Sequence, residues 1–183
     1  MNFSKKYLIF FLILVTACSG LFLFKVSAQD ATVTSQQAEQ IRSNCVSTKN
    51  TLNQLHASDA LLRVNRGQIY ESILTKLIDR FNGRLSSNNI NSTNFTSVKN
   101  DYSSMLDTFR LDYKSYEEHL SAALNTDCSK QPTEFYNAVA LARTDRSRVH
   151  DDVANLNQSI DKYQDLLNQF EKDYQTASSG MKN

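Results

Sequence analysis

The chain of 183 residues has no tryptophan, one proline and four glycines, and its 20 Lys and Arg nearly balance 19 Asp and Glu, leaving a formal charge of +1. So little punctuation argues against a fold of many short strands, which needs turn residues at close intervals. Near-neutral charge removes any argument for nucleic acid or another polyanion as a partner. Nothing combines a nucleophile with its base, and no phosphate loop or dinucleotide fingerprint is present, so the expectation is a non-enzymatic protein without a cofactor. What the sequence does hold is long stretches rich in Ser, Asn and Gln with regularly spaced apolar residues, a composition that suits long helices with wet outer faces.

Cysteine is scarce too. Cys18 lies in a leading apolar segment, which leaves Cys45 and Cys128 as an even pair. In an exported domain, two cysteines are most simply read as one disulfide. Export is the reading of the amino end. Lys5 and Lys6 precede an apolar run from Tyr7 to Phe24, and Lys25-Val26-Ser27-Ala28 offers the small residues a signal peptidase needs. Cleavage after Ala28 is the preferred expectation. The run is also long enough to stay as a membrane anchor through residues 7–24, and Val15-Thr16-Ala17-Cys18 has the form of a bacterial lipidation box. All three readings deliver the remainder to the cell envelope or beyond it.

After residues 1–28 and a polar lead at 29–34, residues 35–177 carry three helical seams, and 178–183 reads as a disordered tail. The first seam runs Ile41, Cys45, Thr48, Leu52, Leu55, Leu62, Ile69 and Ile73, on a helix reaching about Leu85. Ser86 to Ser92 has turn chemistry throughout. A second helix starts near Thr93, capped by Asn91 or Ser92, with a seam of Phe95, Val98, Tyr102, Met105, Phe109, Tyr116, Leu120 and Ala123, and it ends at Cys128. Pro132 suits the first position of a third helix. That helix has the longest seam: Val139, Ala142, Val149, Val153, Leu156, Ile160, Tyr163, Leu167, Phe170 and Tyr174. The short connections predict an all-α, elongated antiparallel three-helix bundle of coiled-coil type, with Cys45 and Cys128 brought level because each lies about forty residues from the tip. Phe109, Leu120, Leu156, Ile160 and Leu167 are expected in its core.

Charges interrupt the seams at Asp59, Arg66 and Arg146. A charge in a seam is costly unless paired, so the spacing predicts a buried polar layer in which Asp59 bridges Arg146, with Arg66 close enough to compete. Such a layer fixes helix register; it could equally hold a small anion, since Arg63 and Arg143 add positive charge nearby and Gly67 interrupts a helix interior at a cost of about 1 kcal/mol against Ala. His56 and His119 fall at similar heights beside Glu117 and Glu118. No ligand spacing supports a metal there, so none is expected. The triplets at Asn91, Asn94 and Asn157 that match a glycosylation pattern are expected by chance in so Asn- and Ser-rich a chain.

Two segments, Leu62-Arg63-Val64-Asn65-Arg66-Gly67-Gln68 with Tyr70-Glu71, and Asp127-Cys128 with Gln131-Pro132, Phe135-Tyr136, Val139 and Ala142-Arg143, resemble exported helical proteins of Saccharibacteria and related small-genome bacteria that live attached to other cells. The resemblance spans most of the chain after the leading segment and implies a cell-envelope or secreted setting; it brings no activity and no site residues. The function expected is that of a spacer, scaffold or adhesive surface toward another protein or cell, with a small-ligand bundle centred on the Arg/Asp layer as the alternative.

Overall fold

The computed structural model describes residues 33–180. The signal-peptide, lipidation and anchor readings of residues 1–28, most of the polar lead, and residues 181–183 lie outside the described residues. Every regular element among the described residues is helical: α1 (Ser35–Ser43), α2 (Cys45–Ser72), a π-helical turn (Ile73–Ile78), α3 (Asp79–Ser87), α4 (Thr93–Asn125) and α5 (Pro132–Gly180). None of these helices is long and apolar enough to cross a membrane.

The first expected helix is thus a limb of four segments. It opens on a reciprocal cap in which Gln37 N–H donates to Thr34 Oγ1 (3.2 Å) and Thr34 N–H donates to Gln37 Oε1 (2.9 Å). It breaks at Asn44, whose side-chain Nδ2 donates to the Gln40 carbonyl (2.9 Å) in competition with the helical ladder. Farther along, the π turn inserts one residue into the helical repeat and rotates everything after it. The effect on burial is direct. Seven residues beyond buried Tyr70, Leu77 is 62% exposed, while its neighbour Ile78 is 1% exposed and begins a buried row that continues at Leu85. Before the turn the buried row of α2 runs through Asp59 and Tyr70, one position from the expected Ile69, so Leu62 and Ile69 are not core residues; after it the core positions are Ile78 and Leu85.

The limb ends in a glycine-free stop. Asn89 takes a left-handed φ of 53°, Asn89 N–H donates to the Ser86 carbonyl (3.1 Å) and Ile90 N–H to the Leu85 carbonyl (2.9 Å), the pattern of a Schellman cap. Asn91 Oδ1 then accepts from Thr93 N–H (3.0 Å) to start α4. At the other end α4 stops at Asn125, before Cys128, and Asp127 organises the connection by accepting from Ser129 N–H (3.1 Å) and Lys130 N–H (3.3 Å). Pro132 is the first residue of α5, and α5 continues through Ser178 and Ser179 to Gly180, where the composition suggested a fraying tail.

Contacts fix the order of the elements. Along the first limb, Cys45, Asp59, Tyr70 and Asp79 meet Cys128, Tyr116, Tyr102 and Lys99 in turn, so the partner number falls as the limb number rises. Against α5 the numbers rise together, from Asp59 with Arg146 to Asn82 with Tyr163. The disulfide joins Cys45 to Cys128 with Cα atoms 5.6 Å apart and gathers Ala123 and Phe135 around it. The larger core lies toward the tip. There Tyr70, Ile78, Leu85, Phe95, Tyr102, Leu106, Phe109, Leu156 and Tyr163 pack together, and Phe81, Phe95, Tyr163 and Phe170 meet edge to face.

α5 lies between two neighbours and uses two rows. Its central positions Ala142, Val149, Leu156, Tyr163 and Phe170 are shared, and the row toward α4 is Asp145, Asp152 and Ser159, all buried. The row toward the first limb is Arg146, Val153, Ile160 and Leu167. Of the five residues expected in the core, Phe109, Leu120 and Leu156 are buried, whereas Ile160 and Leu167 are only half-buried because they face an open groove beside Ile73, Leu77 and Arg84.

Candidate functional site

Asp59 is the one buried acidic side chain of α2. Its position toward the interior follows from the helical repeat that also buries Cys45 and Tyr70. Three donors converge on it: Arg146 Nε to Oδ2 (2.7 Å), Arg146 Nη2 to Oδ1 (3.2 Å) and the Tyr116 hydroxyl to Oδ2 (2.7 Å). Burial alone would push this carboxyl up, but the Arg146 and Tyr116 hydrogen bonds and the nearby charges of Arg146 and His56 outweigh it and hold Asp59 below the usual carboxylate value. The same contact raises Arg146 further, and burial followed by the Asp59 hydrogen bond raises the Tyr116 hydroxyl.

The structure therefore brings Asp59 and Arg146 together, with two corrections to the expected layer. The Arg146 side chain is 52% exposed, so the pair spans the boundary between interior and water and is not sealed in the bundle. The row toward the first limb turns outward at this level, which is why a guanidinium can occupy it. Arg66 is exposed and does not bond Asp59; its side chain lies on the lip of a cleft. Arg63 lies 4.7 Å over the Tyr113 ring, a cation–π contact, and so takes part through stacking rather than ion pairing. Arg143 is on the surface and does not line the cleft. At Gly67 an added Cβ would meet no atom of another element among the described residues within 4 Å, so neither close helix approach nor room for a ring explains it.

The cleft, of about 190 Å³, opens where α2, α4 and α5 meet. Phe109, Tyr113, Val149 and Val153 form its apolar floor and sides, and Arg63, Arg66, Arg146 and His150 surround its mouth. Tyr113 turns its hydroxyl toward Glu117 Oε1 (2.5 Å), and Glu117 Oε2 accepts from His56 Nε2 (2.8 Å). His119 bonds a different carboxylate, Asp145, so the two histidines do not share a site. Among the described residues no group of three or more His, Cys, Asp or Glu side chains is placed to hold a metal ion.

A second polar centre lies across the α4–α5 contact and was not anticipated. Asp145, 1% exposed, accepts from His119 Nδ1 and from Arg148. One helical repeat on, Asp152 is buried beside Asp112 with its Oδ2 unpartnered. Burial first, then the charge of Asp112 and a hydrogen bond shared with it, push the Asp152 carboxyl up to about 6. The signal was available: moving the seam of α5 by one residue puts Asp145, Asp152 and Ser159 on a heptad row. The row of Val153, Ile160 and Leu167 masked it by being apolar and regular. No family model, curated protein or solved structure matches the chain, so its chemistry rests on these contacts.

Proposed function

We propose that this chain is a non-enzymatic, exported helical module in which α1, α2, the π turn and α3 form one limb of an antiparallel three-helix bundle, with α4 and α5 as the others, and that it presents the first limb's outer face to another protein of the cell envelope. The carrying observation is apolar surface on the wrong side of α2. Val46, Leu61, Val64, Ile69 and Leu77 are all more than half exposed. Leu61 and Val64 fall on the side of the helix away from Asp59 and Tyr70, and Ile69 and Leu77 line an outer groove edged by Asn65, Gln68 and Ser72. Apolar residues laid along a helix, with mostly uncharged polar neighbours and Lys76 at one edge, suit the apolar stripe of a partner helix.

Export is supported by the leading run Tyr7–Phe24 and by the disulfide, which persists in oxidising compartments. The resemblance to exported helical proteins of small-genome bacteria points the same way. A helix of 49 residues, about 70 Å long at 1.5 Å per residue, gives the module the reach of a spacer.

The test is a photo-reactive amino acid at Val64 or Ile69, with Thr108 on the exposed side of α4 as control, in cells that export the protein. Discrete adducts with one protein at the first two positions and none at Thr108 are expected. No adduct at any position, or equal adducts at all three, would remove the interaction surface.

A further inference from the structure

The cleft between α2, α4 and α5 has a charge balance that the fold does not require. Three guanidiniums, those of Arg63, Arg66 and Arg146, stand at its mouth against one inward carboxylate, Asp59. Asp59 engages only the Nε and Nη2 edge of Arg146 and does not use Nη1. Among the described residues Arg63 and Arg66 have no carboxylate within salt-bridge distance; Arg63 is held by the Tyr113 ring instead. Below these cations the wall is Phe109, Tyr113, Val149 and Val153, so an occupant would pass from a cationic rim onto an apolar floor within one small cavity.

We infer that this cleft is a binding site for a small amphiphilic anion, a carboxylate carried on a single ring or a short acyl chain. The volume sets the size: about 190 Å³ is below the roughly 300–1,000 Å³ that drug-sized ligands occupy. The rim selects the charge, because guanidinium groups bind planar carboxylates through paired N–H donors. The floor selects the body, because Leu62, Val149 and Val153, backed by Phe109, offer apolar surface that a fully hydrated anion such as phosphate would not use. Asp59 sets the orientation. It repels a carboxylate from the Tyr116 side and leaves the Arg66 side as the anionic subsite. The site is independent of the outer apolar face, on the opposite side of α2, and the two readings stand or fall separately.

Titration of the oxidised protein with sodium benzoate, followed by the amide and methyl resonances of the cleft, tests the assignment. Benzamide supplies the same ring without charge, and inorganic phosphate supplies charge without a ring. Benzoate should shift resonances of Phe109, Val149 and Val153, and both controls should bind about tenfold more weakly or worse, the loss of one well-placed interaction. Arg66→Gln, whose parent side chain makes no hydrogen bond or ion pair among the described residues, should weaken benzoate about three- to fivefold with no change in thermal midpoint. Val153→Phe, which fills the cleft, should abolish binding. Benzamide or phosphate binding as tightly as benzoate, an unchanged affinity in Arg66→Gln, or no shift at these residues would each overturn the site. If Val153→Phe does not fold, the Arg66→Gln comparison still decides.

Discussion

At the scale of single residues, the stability of the polar centre is set by which charges are in water. Arg146 is half exposed, so Arg146→Ala should cost about 1 kcal/mol, near the upper end for exposed pairs. Asp59→Ala should cost more, about 1–3 kcal/mol, because it also strands the buried Tyr116 hydroxyl. Chemical denaturation of both single variants and the double variant gives the coupling; a double variant that loses the plain sum of the two would show that the pair contributes nothing. Asp59 and Asp152, two of the three buried carboxylates, respond to pH with opposite signs. Asp59 has a lowered folded-state pKa, so its contribution is present above about pH 4 and is lost as pH falls through that folded value. Asp152 is raised to about 6, so the folded state binds the proton more tightly than the unfolded chain, and stability falls as pH rises from about 4 through 6. Asp152→Asn should therefore stabilise the protein by about 1–3 kcal/mol at pH 7 to 8, by removing a buried charge that also faces Asp112, with the gain vanishing near pH 4. Thermal midpoints across that range check it. A gain that is constant with pH would mean that Asp152 does not titrate there.

At the scale of elements, the π turn is the device that keeps the first limb in register with its neighbours. Deleting exposed Lys76 removes the inserted residue and leaves Ile78 seven positions after Tyr70, so the limb can run as a continuous α-helix with Ile78 and Leu85 still inward. That deletion should change stability by less than about 1 kcal/mol, within the range of surface changes. Deleting exposed Lys114 in α4 is the contrast. It turns Tyr116, Leu120 and Ala123 by roughly 100° out of the core, and the loss should be several times larger. Equal losses in the two deletions, measured by circular dichroism melts, would show that the π turn is not a register correction. Gly67 belongs to the same limb. With open space around its Cβ position, Gly67→Ala should stabilise by up to about 1 kcal/mol, the helix-propensity difference.

At the scale of the molecule, the disulfide fastens the end at which the first limb and α4 are otherwise held by a small cluster. Cys45 and Cys128 are separated by 83 residues, and closing such a loop stabilises by about 4–5 kcal/mol in the chain-entropy model, an upper figure. Cys45→Ser with Cys128→Ser should lower the thermal midpoint strongly while leaving the aromatic core near the tip assembled. Thiol labelling of the oxidised, denatured chain should find neither cysteine reactive; labelling of both would remove the bridge. With α4 and α5 packed along their whole shared length and the first limb standing off from α5 around the cleft, the first limb is the part expected to exchange amide hydrogen soonest.

The helical class and the cysteine pair were readable in the chain itself, because both are local or nearly one-dimensional properties. Heptad spacing declares a helix without reference to neighbours, and equal distances from the Ser86 to Ser92 turn place Cys45 opposite Cys128 by arithmetic along two helices. The meeting of Asp59 and Arg146 was also legible as charges within seams. What a single helix could not declare was its phase against two neighbours at once. The π turn rotates the row from Leu77 to Ile78, and α5 divides its contacts between a row with Val153 and Ile160 and a row with Asp145 and Asp152. Only the packed helices decide which of two adjacent rows is buried, because a shift of one residue turns a side chain by about 100° and exchanges interior for solvent. For the same reason the half-exposed setting of Arg146, the cleft above Phe109 and Tyr113, and the raised Asp152 carboxyl are properties of the tertiary structure alone.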